Sequence, residues 1–96
     1  MILDVESDVL VIGSGGAGLR AAIEAEALGA SVVVASKAPA GMNNSTAVSG
    51  GGFRAPIGGL TVEEYIRDTM EVGKEINNRR LVEVMAKEGE ERLLEL

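Results

Sequence analysis

The glycines at Gly13, Gly15 and Gly18, in "GSGGAG" at residues 13–18, have the spacing G-x-G-x-x-G. That spacing can cradle a pyrophosphate. The first glycine allows a tight turn, the second lets backbone approach the anion, and the third lets a helix lie close to a strand. The free N–H groups near Gly16 and Ala17 would face the anion, and the helix dipole favours its charge. Ser14 fills the first variable slot. Such a fingerprint could also be a glycine-rich turn with no ligand. It gains meaning only between a strand and a helix.

A second group stands in "GMNNSTAVSGGGF", residues 41–53. Asn43, Asn44, Ser45 and Thr46 supply donors and acceptors without filling space, and Gly50 and Gly51 offer bare backbone. This chemistry suits a large flat ligand with polar edges, such as a flavin ring system. The alternative is a surface loop without a ligand, but structureless loops this long inside a compact domain are usually functional or disordered.

A third feature is an absence. Dinucleotide sites commonly place an acid about 20 residues beyond the glycines, at the end of the second strand, to hold a ribose hydroxyl. The sequence there is "VASKAP", and no Asp or Glu occurs between Glu26 and Glu63. Ser36 could exchange hydrogen bonds with a ribose, or Lys37 could meet a 2′-phosphate. On this local chemistry FAD and NADP both stay open, and NAD is disfavoured.

The elements that must hold these residues are legible. "SDVLVIG", residues 7–13, is a short apolar run that predicts a strand buried on both faces of a parallel sheet. "GAGLRAAIEAEALG", residues 16–29, predicts a helix stopped by Gly29. "ASVVVAS", residues 30–36, predicts a second buried strand. The β-α-β unit fills residues 7–36, which is the confirming context for the glycine turn. A loop then runs from Lys37 to Gly59, kept irregular by Pro39, Pro56 and clustered Gly, Ser and Asn.

Thr61 and Glu64 have the spacing of a capping box. Val62, Ile66, Thr69, Met70 and Gly73 then line one helical face. Asn78 can cap a last helix, with Val82, Met85, Ala86, Leu93 and Leu96 on its apolar side. Gly89, inside that helix, marks a close contact or a break.

Composition narrows the function. The chain has 96 residues, 46% of them apolar, and a formal charge of −6, as in one globular domain. The absence of Cys and His removes disulfides, Cys-based metal sites and a histidine base. Residues 60–96 carry ten acids against six bases, read as solvated helix faces, so nucleic acid is not an expected partner. No run approaches the ~20 apolar residues of a membrane span. The N-terminus lacks the pattern of a signal peptide, and a cytoplasmic location is expected.

The fold class is therefore α/β: a Rossmann-like β-α-β unit, then a long flavin-facing loop over 37–59 and a helical segment over 60–96. Two strands leave a doubly wound sheet unfinished, so residues 1–96 are expected to be the N-terminal part of a larger domain. Such a piece should bind its cofactor poorly and self-associate through its open sheet edge.

The chain resembles the N-terminus of the flavoprotein subunits of fumarate reductase and succinate dehydrogenase, with L-aspartate oxidase as a relative. The resemblance runs through "DVLVIGSGGAGLRAAIEA", "SKAP", "NNSTAVSGGG" and "DTMEVGKEINNRRLVEVMAKEGEERLLEL". It implies FAD, held by Gly13, Ser14, Gly15, Gly16, Ala17 and Gly18. Ser36 and Lys37 replace the ribose acid in many members, which accounts for the missing carboxylate. Asn43, Asn44, Ser45, Thr46, Gly50 and Gly51 lie along the flavin in the family. Where membrane-bound members carry a covalently linked His, this chain has Asn44, which implies non-covalent FAD. Ser49 replaces a common Gln.

The family chemistry is hydride exchange between the flavin and a small dicarboxylate. Its catalytic arginines and histidines lie outside this segment. None of Arg20, Arg54, Arg67, Arg79, Arg80 and Arg92 is assigned a catalytic role. The resemblance also implies partners: the rest of the flavoprotein chain and an iron–sulfur or other electron-transfer subunit, which could hold the protein at the inner face of the membrane. Two other readings are a flavin enzyme of the same superfamily acting on a ketosteroid, and a non-enzymatic nucleotide-binding module.

Overall fold

The computed structural model describes residues 1–96. The order of elements is β1 (Val9–Ile12), α1 (Gly16–Ala27), β2 (Val32–Ala35), α2 (Val62–Val72) and α3 (Arg79–Leu94). The chain divides into two compact units, Met1–Gly51 and Gly52–Leu96. The division falls inside the long loop.

In the first unit β1 and β2 pair in parallel, with Val9 opposite Val32 and Ile12 opposite Ala35. The ladder runs one step further, where the Gly13 N–H donates to the Ala35 carbonyl at 2.8 Å. At the amino ends Asp8 and Ser31 pin the register. The Asp8 carboxylate accepts from the Ser31 N–H at 2.8 Å and its hydroxyl at 3.0 Å. The backbone hydrogen bond first, and the hydroxyl second, hold the Asp8 carboxyl below its ordinary value. α1 ends before Gly29, whose φ of +91° suits glycine and whose N–H donates to the Glu26 carbonyl.

The strands are shorter than the predicted runs, four residues each. They also differ in burial from the expectation of two covered faces. Val9 and Val11 are half-buried, whereas Leu10 is 59% and Ile12 84% exposed. α1 packs on the sheet, and no second helix of this unit covers its other face.

In the second unit both helices start at side-chain caps. The Glu64 N–H donates to the Thr61 hydroxyl at 3.1 Å, and the Thr61 N–H donates to the Glu64 carboxylate at 3.0 Å. This is the reciprocal capping box read from the sequence. The Leu81 N–H donates to the Asn78 carboxamide oxygen at 3.2 Å. Between the helices Lys74 and Glu75 take positive φ, 55° and 62°. The Asn77 side chain fills the space beside Gly73 where a Cβ would stand, and donates to the Thr69 carbonyl at 3.0 Å.

The core of this unit is Ala55, Tyr65, Met70, Val82 and Ala86. Tyr65 falls outside the predicted face but is buried, its hydroxyl donating to the Arg54 carbonyl at 3.2 Å. Met85 and Leu96, expected on the apolar side of α3, are 47% and 85% exposed, and α3 stops at Leu94. Gly89 does not break the helix. A Cβ there would meet Pro56 at 3.4 Å and Ala55 at 3.6 Å, so the glycine marks a packing contact. No helix is long and apolar enough to cross a membrane.

Candidate functional site

The site is built where β1 turns into α1. Gly13 has φ of +108°, a backbone state that side chains resist, and it makes the sharp exit from the strand. Gly15 is the N-cap of α1 and has no capping side chain of its own. Gly18 faces back toward the strand. A Cβ at Gly18 would run into the Gly13 carbonyl and stand 3.4 Å from Val11. Helix and strand approach this closely only because that position is bare.

The start of α1 offers unpaired donors. The Leu19 N–H makes the first helical bond, to the Gly15 carbonyl at 3.0 Å. The first turn holds no acid, so nothing there opposes an anion at the positive end of the helix dipole. Gly16 differs from expectation. Its N–H, one of the predicted anion donors, donates to the Thr46 hydroxyl at 3.0 Å. That bond leaves the Thr46 hydroxyl proton available to donate.

The loop beyond β2 folds back onto this turn. A cleft of about 510 Å³ is lined by Gly13, Ser14, Gly15, Ser36, Lys37 and Ala38, with Met42, Asn43 and Asn44 across it. Such a volume is within the usual range for ligand sites, roughly 300–1,000 Å³. It opens at the carboxyl ends of β1 and β2, where parallel sheets bind ligands. Asn43 has φ of 53°, a state asparagine tolerates. The Asn44 carboxamide donates to the Met42 carbonyl at 3.2 Å and the Ser14 carbonyl at 3.4 Å, and accepts from the Ala47 N–H at 2.9 Å.

The predicted site residues thus divide. Gly13, Ser14, Gly15, Ser36, Lys37, Asn43 and Asn44 meet around one cleft, and Thr46 touches Gly16 beside it. Gly18 shapes the turn from behind. Gly16, Ala17 and Ser45 are exposed and do not line the cleft. Gly50 and Gly51 are also exposed, and a Cβ at either would meet nothing within 4 Å. Met42 and Ala38 line the cleft without having been singled out in the sequence, because apolar residues in a polar loop carry no signal of their own.

A larger depression, about 720 Å³, lies between Val5, Glu6, Ser7, Asp8, Leu10, Ser31 and Val33. It is at the amino ends of the strands, its only charged residues are acids, and it lacks the glycine turn. The 510 Å³ cleft is the better candidate for an anionic nucleotide. No group of three or more acidic side chains is placed to hold a metal. Arg20, Arg54, Arg67, Arg79 and Arg92 sit in ion pairs with acids of their own unit.

Comparison with known proteins agrees with this geometry. The family described as FAD binding domain matches residues 8–96. The CoM/CoB fumarate reductase of Methanothermobacter marburgensis contains a polypeptide 38% identical over 95 residues, which is 95% of this chain and 17% of that polypeptide's length. The chloroplastic L-aspartate oxidase of Arabidopsis thaliana is 40% identical over 90 residues, 93% of this chain and 14% of its own. The 3-oxosteroid 1-dehydrogenase of Mycobacterium tuberculosis is 45% identical over 69 residues, 72% of this chain and 12% of its own. The chain therefore spans less than a fifth of the length of these relatives. No solved structure gives a significant match. A glycine turn between strand and helix and a family match covering residues 8–96 lead to one statement: the chain belongs to the FAD binding domain family.

Proposed function

We propose that this chain is the FAD-binding portion of a flavin-dependent oxidoreductase of the fumarate reductase type, one that exchanges hydride between FAD and a small dicarboxylate. One observation carries the reading. The glycine turn, the Ser36–Lys37 pair and the Asn43–Asn44 segment line a single cleft at the carboxyl ends of the strands. The residues suit FAD. Bare backbone at Gly13 and Gly15 admits a diphosphate, with Lys37 as a cation beside it. Ser36 can bond a ribose hydroxyl, and Met42 offers an apolar contact.

Bound FAD supplies the hydride chemistry. The residues of this chain bind and orient it, and none is assigned a proton-transfer role. The reading includes a non-covalent cofactor: by the family resemblance Asn44 stands where membrane-bound members carry the linking His, and residues 1–96 contain no His. Acid precipitation of the intact protein should leave its flavin in the supernatant, and yellow pellets would overturn the non-covalent reading. Turnover with fumarate, succinate and aspartate tests the substrate class. A second reading, a 3-ketosteroid substrate, draws on the match to the oxosteroid dehydrogenase. Turnover of a 3-ketosteroid with none of the dicarboxylates would favour it.

A further inference from the structure

Ser14 occupies a variable slot of the glycine fingerprint, yet it is the one buried polar side chain, 4% exposed. Three bonds converge on it. Its hydroxyl lies 2.8 Å from the Ser36 hydroxyl. The same oxygen accepts from the Gly41 N–H at 3.2 Å. Its carbonyl accepts from the Asn44 carboxamide at 3.4 Å. Ser36, Gly41 and Asn44 mark the beginning, middle and end of the loop that walls the cleft. Gly41 has φ of 75° and reverses the chain at that point.

From this network we infer that Ser14 is a positioning residue. Its buried hydroxyl clamps the 36–44 loop to the glycine turn and fixes the Ser36 hydroxyl as a donor facing the cleft. The polarity follows from counting protons. If Ser36 donated to Ser14, the Ser14 proton would have no protein acceptor on a side chain only 4% exposed, which is costly. With Ser14 donating, its lone pair still receives Gly41, and no buried donor is wasted. Ser36 has then accepted, so its own proton is free to point outward. Ser36 lines the cleft and so presents a directed donor to an acceptor on the ligand, such as a ribose oxygen. Only that last step rests on the flavin reading.

Two measurements on the intact protein, one without ligand and one with FAD, separate the parts. The variants are Ser14→Ala, Ser36→Ala, the double variant and Ser14→Thr. Amide exchange at Gly41 should speed up by about tenfold in Ser14→Ala, the loss of one net hydrogen bond. It should stay unchanged in Ser36→Ala and be slowed again in Ser14→Thr, which restores the hydroxyl. For FAD affinity, each alanine variant should lose about tenfold, and the double variant no more than the weaker single, because both remove one shared interaction. A merely structural Ser14 would give losses that multiply. Unchanged Gly41 exchange in Ser14→Ala, or multiplying losses, overturns the inference. Faster Gly41 exchange in a protein that binds no FAD supports the clamp and overturns the flavin reading instead.

Discussion

The buried apolar residues Ala55, Pro56, Tyr65, Met70, Val82 and Ala86 all lie in Gly52–Leu96, whereas the one buried residue of Met1–Gly51 is a serine. The second unit is held by side chains: capped helices close on a small apolar core. The first is held by backbone and polar bonds: a glycine turn, a two-stranded ladder and the Ser14 network. A region that must bring main chain up to a ligand cannot fill the same space with side chains. Around the glycine turn, small residues with directed hydrogen bonds set the shape instead.

The sharpest way to break this contrast is to add one methyl group to the first unit. In Gly18→Ala the new carbon runs into the Gly13 carbonyl, which is backbone and cannot rotate away. Either α1 or β1 must shift, and because the clash is with backbone the cost should lie at the top of the usual overpacking range, about 3 kcal/mol. Urea unfolding of the intact protein should show the loss, together with weakened FAD binding as the glycine turn moves. A neutral Gly18→Ala would mean that helix and strand can separate freely, and the case for a backbone-built turn would fail.

The second unit should fail by the opposite route, through lost volume. Met70 is 5% exposed in the core between α2 and α3. Met70→Ala removes buried methylene groups and leaves a cavity, at a cost of about 2–5 kcal/mol. The contrast predicts that this variant lowers stability with FAD affinity changed little, provided the protein stays folded at the assay temperature. Equal losses of affinity in Met70→Ala and Gly18→Ala would show that the two units do not have separate roles.

What could be read from sequence follows the same division. The Thr61–Glu64 box, the Asn78 cap, the Gly29 stop and the Gly13–Gly18 turn are local patterns with one physical meaning each. All four stand in the structure. Ser14 was only a variable letter in a motif. Its partners are 22 and 27 residues away, at Ser36 and Gly41, and a small polar residue carries no periodicity that could announce them. Thr46 on the Gly16 N–H spans 30 residues and was equally hidden. Strand burial follows a related rule. A continuous apolar run states what a strand can bury, while the partner that covers each face is set elsewhere.

A second glycine sharpens the comparison from the other side. Gly89 lies inside α3 in an ordinary helical state, and a Cβ there would make normal contacts with Ala55 and Pro56. Gly89→Ala should therefore raise stability, by up to about 1 kcal/mol from helix propensity. Identical chemistry would then destabilise one unit and stabilise the other. A loss in Gly89→Ala would show that the second unit also depends on bare backbone, which contradicts its description as a side-chain core.

The smallest expected effect is a change in acid sensitivity. The Thr61 N–H and, after it, the Thr61 hydroxyl bond the Glu64 carboxylate and hold its pKa below the ordinary 4.5. The folded chain thus binds this proton less readily than the unfolded one. The stability that Glu64 contributes is full above the ordinary value and disappears as pH falls through the lower folded one. Glu64→Gln keeps an acceptor for the Thr61 N–H but does not titrate. Below pH 4.5 its stability should fall less steeply than that of the original protein, and above that pH it should be slightly lower. Asp8 is held down in the same direction by Ser31 in the first unit, so part of the acid sensitivity should survive Glu64→Gln and be removed by Asp8→Asn. The two substitutions read the units separately: if Glu64→Gln alone abolished the acid slope, the Asp8–Ser31 pin would contribute nothing to holding β1 against β2.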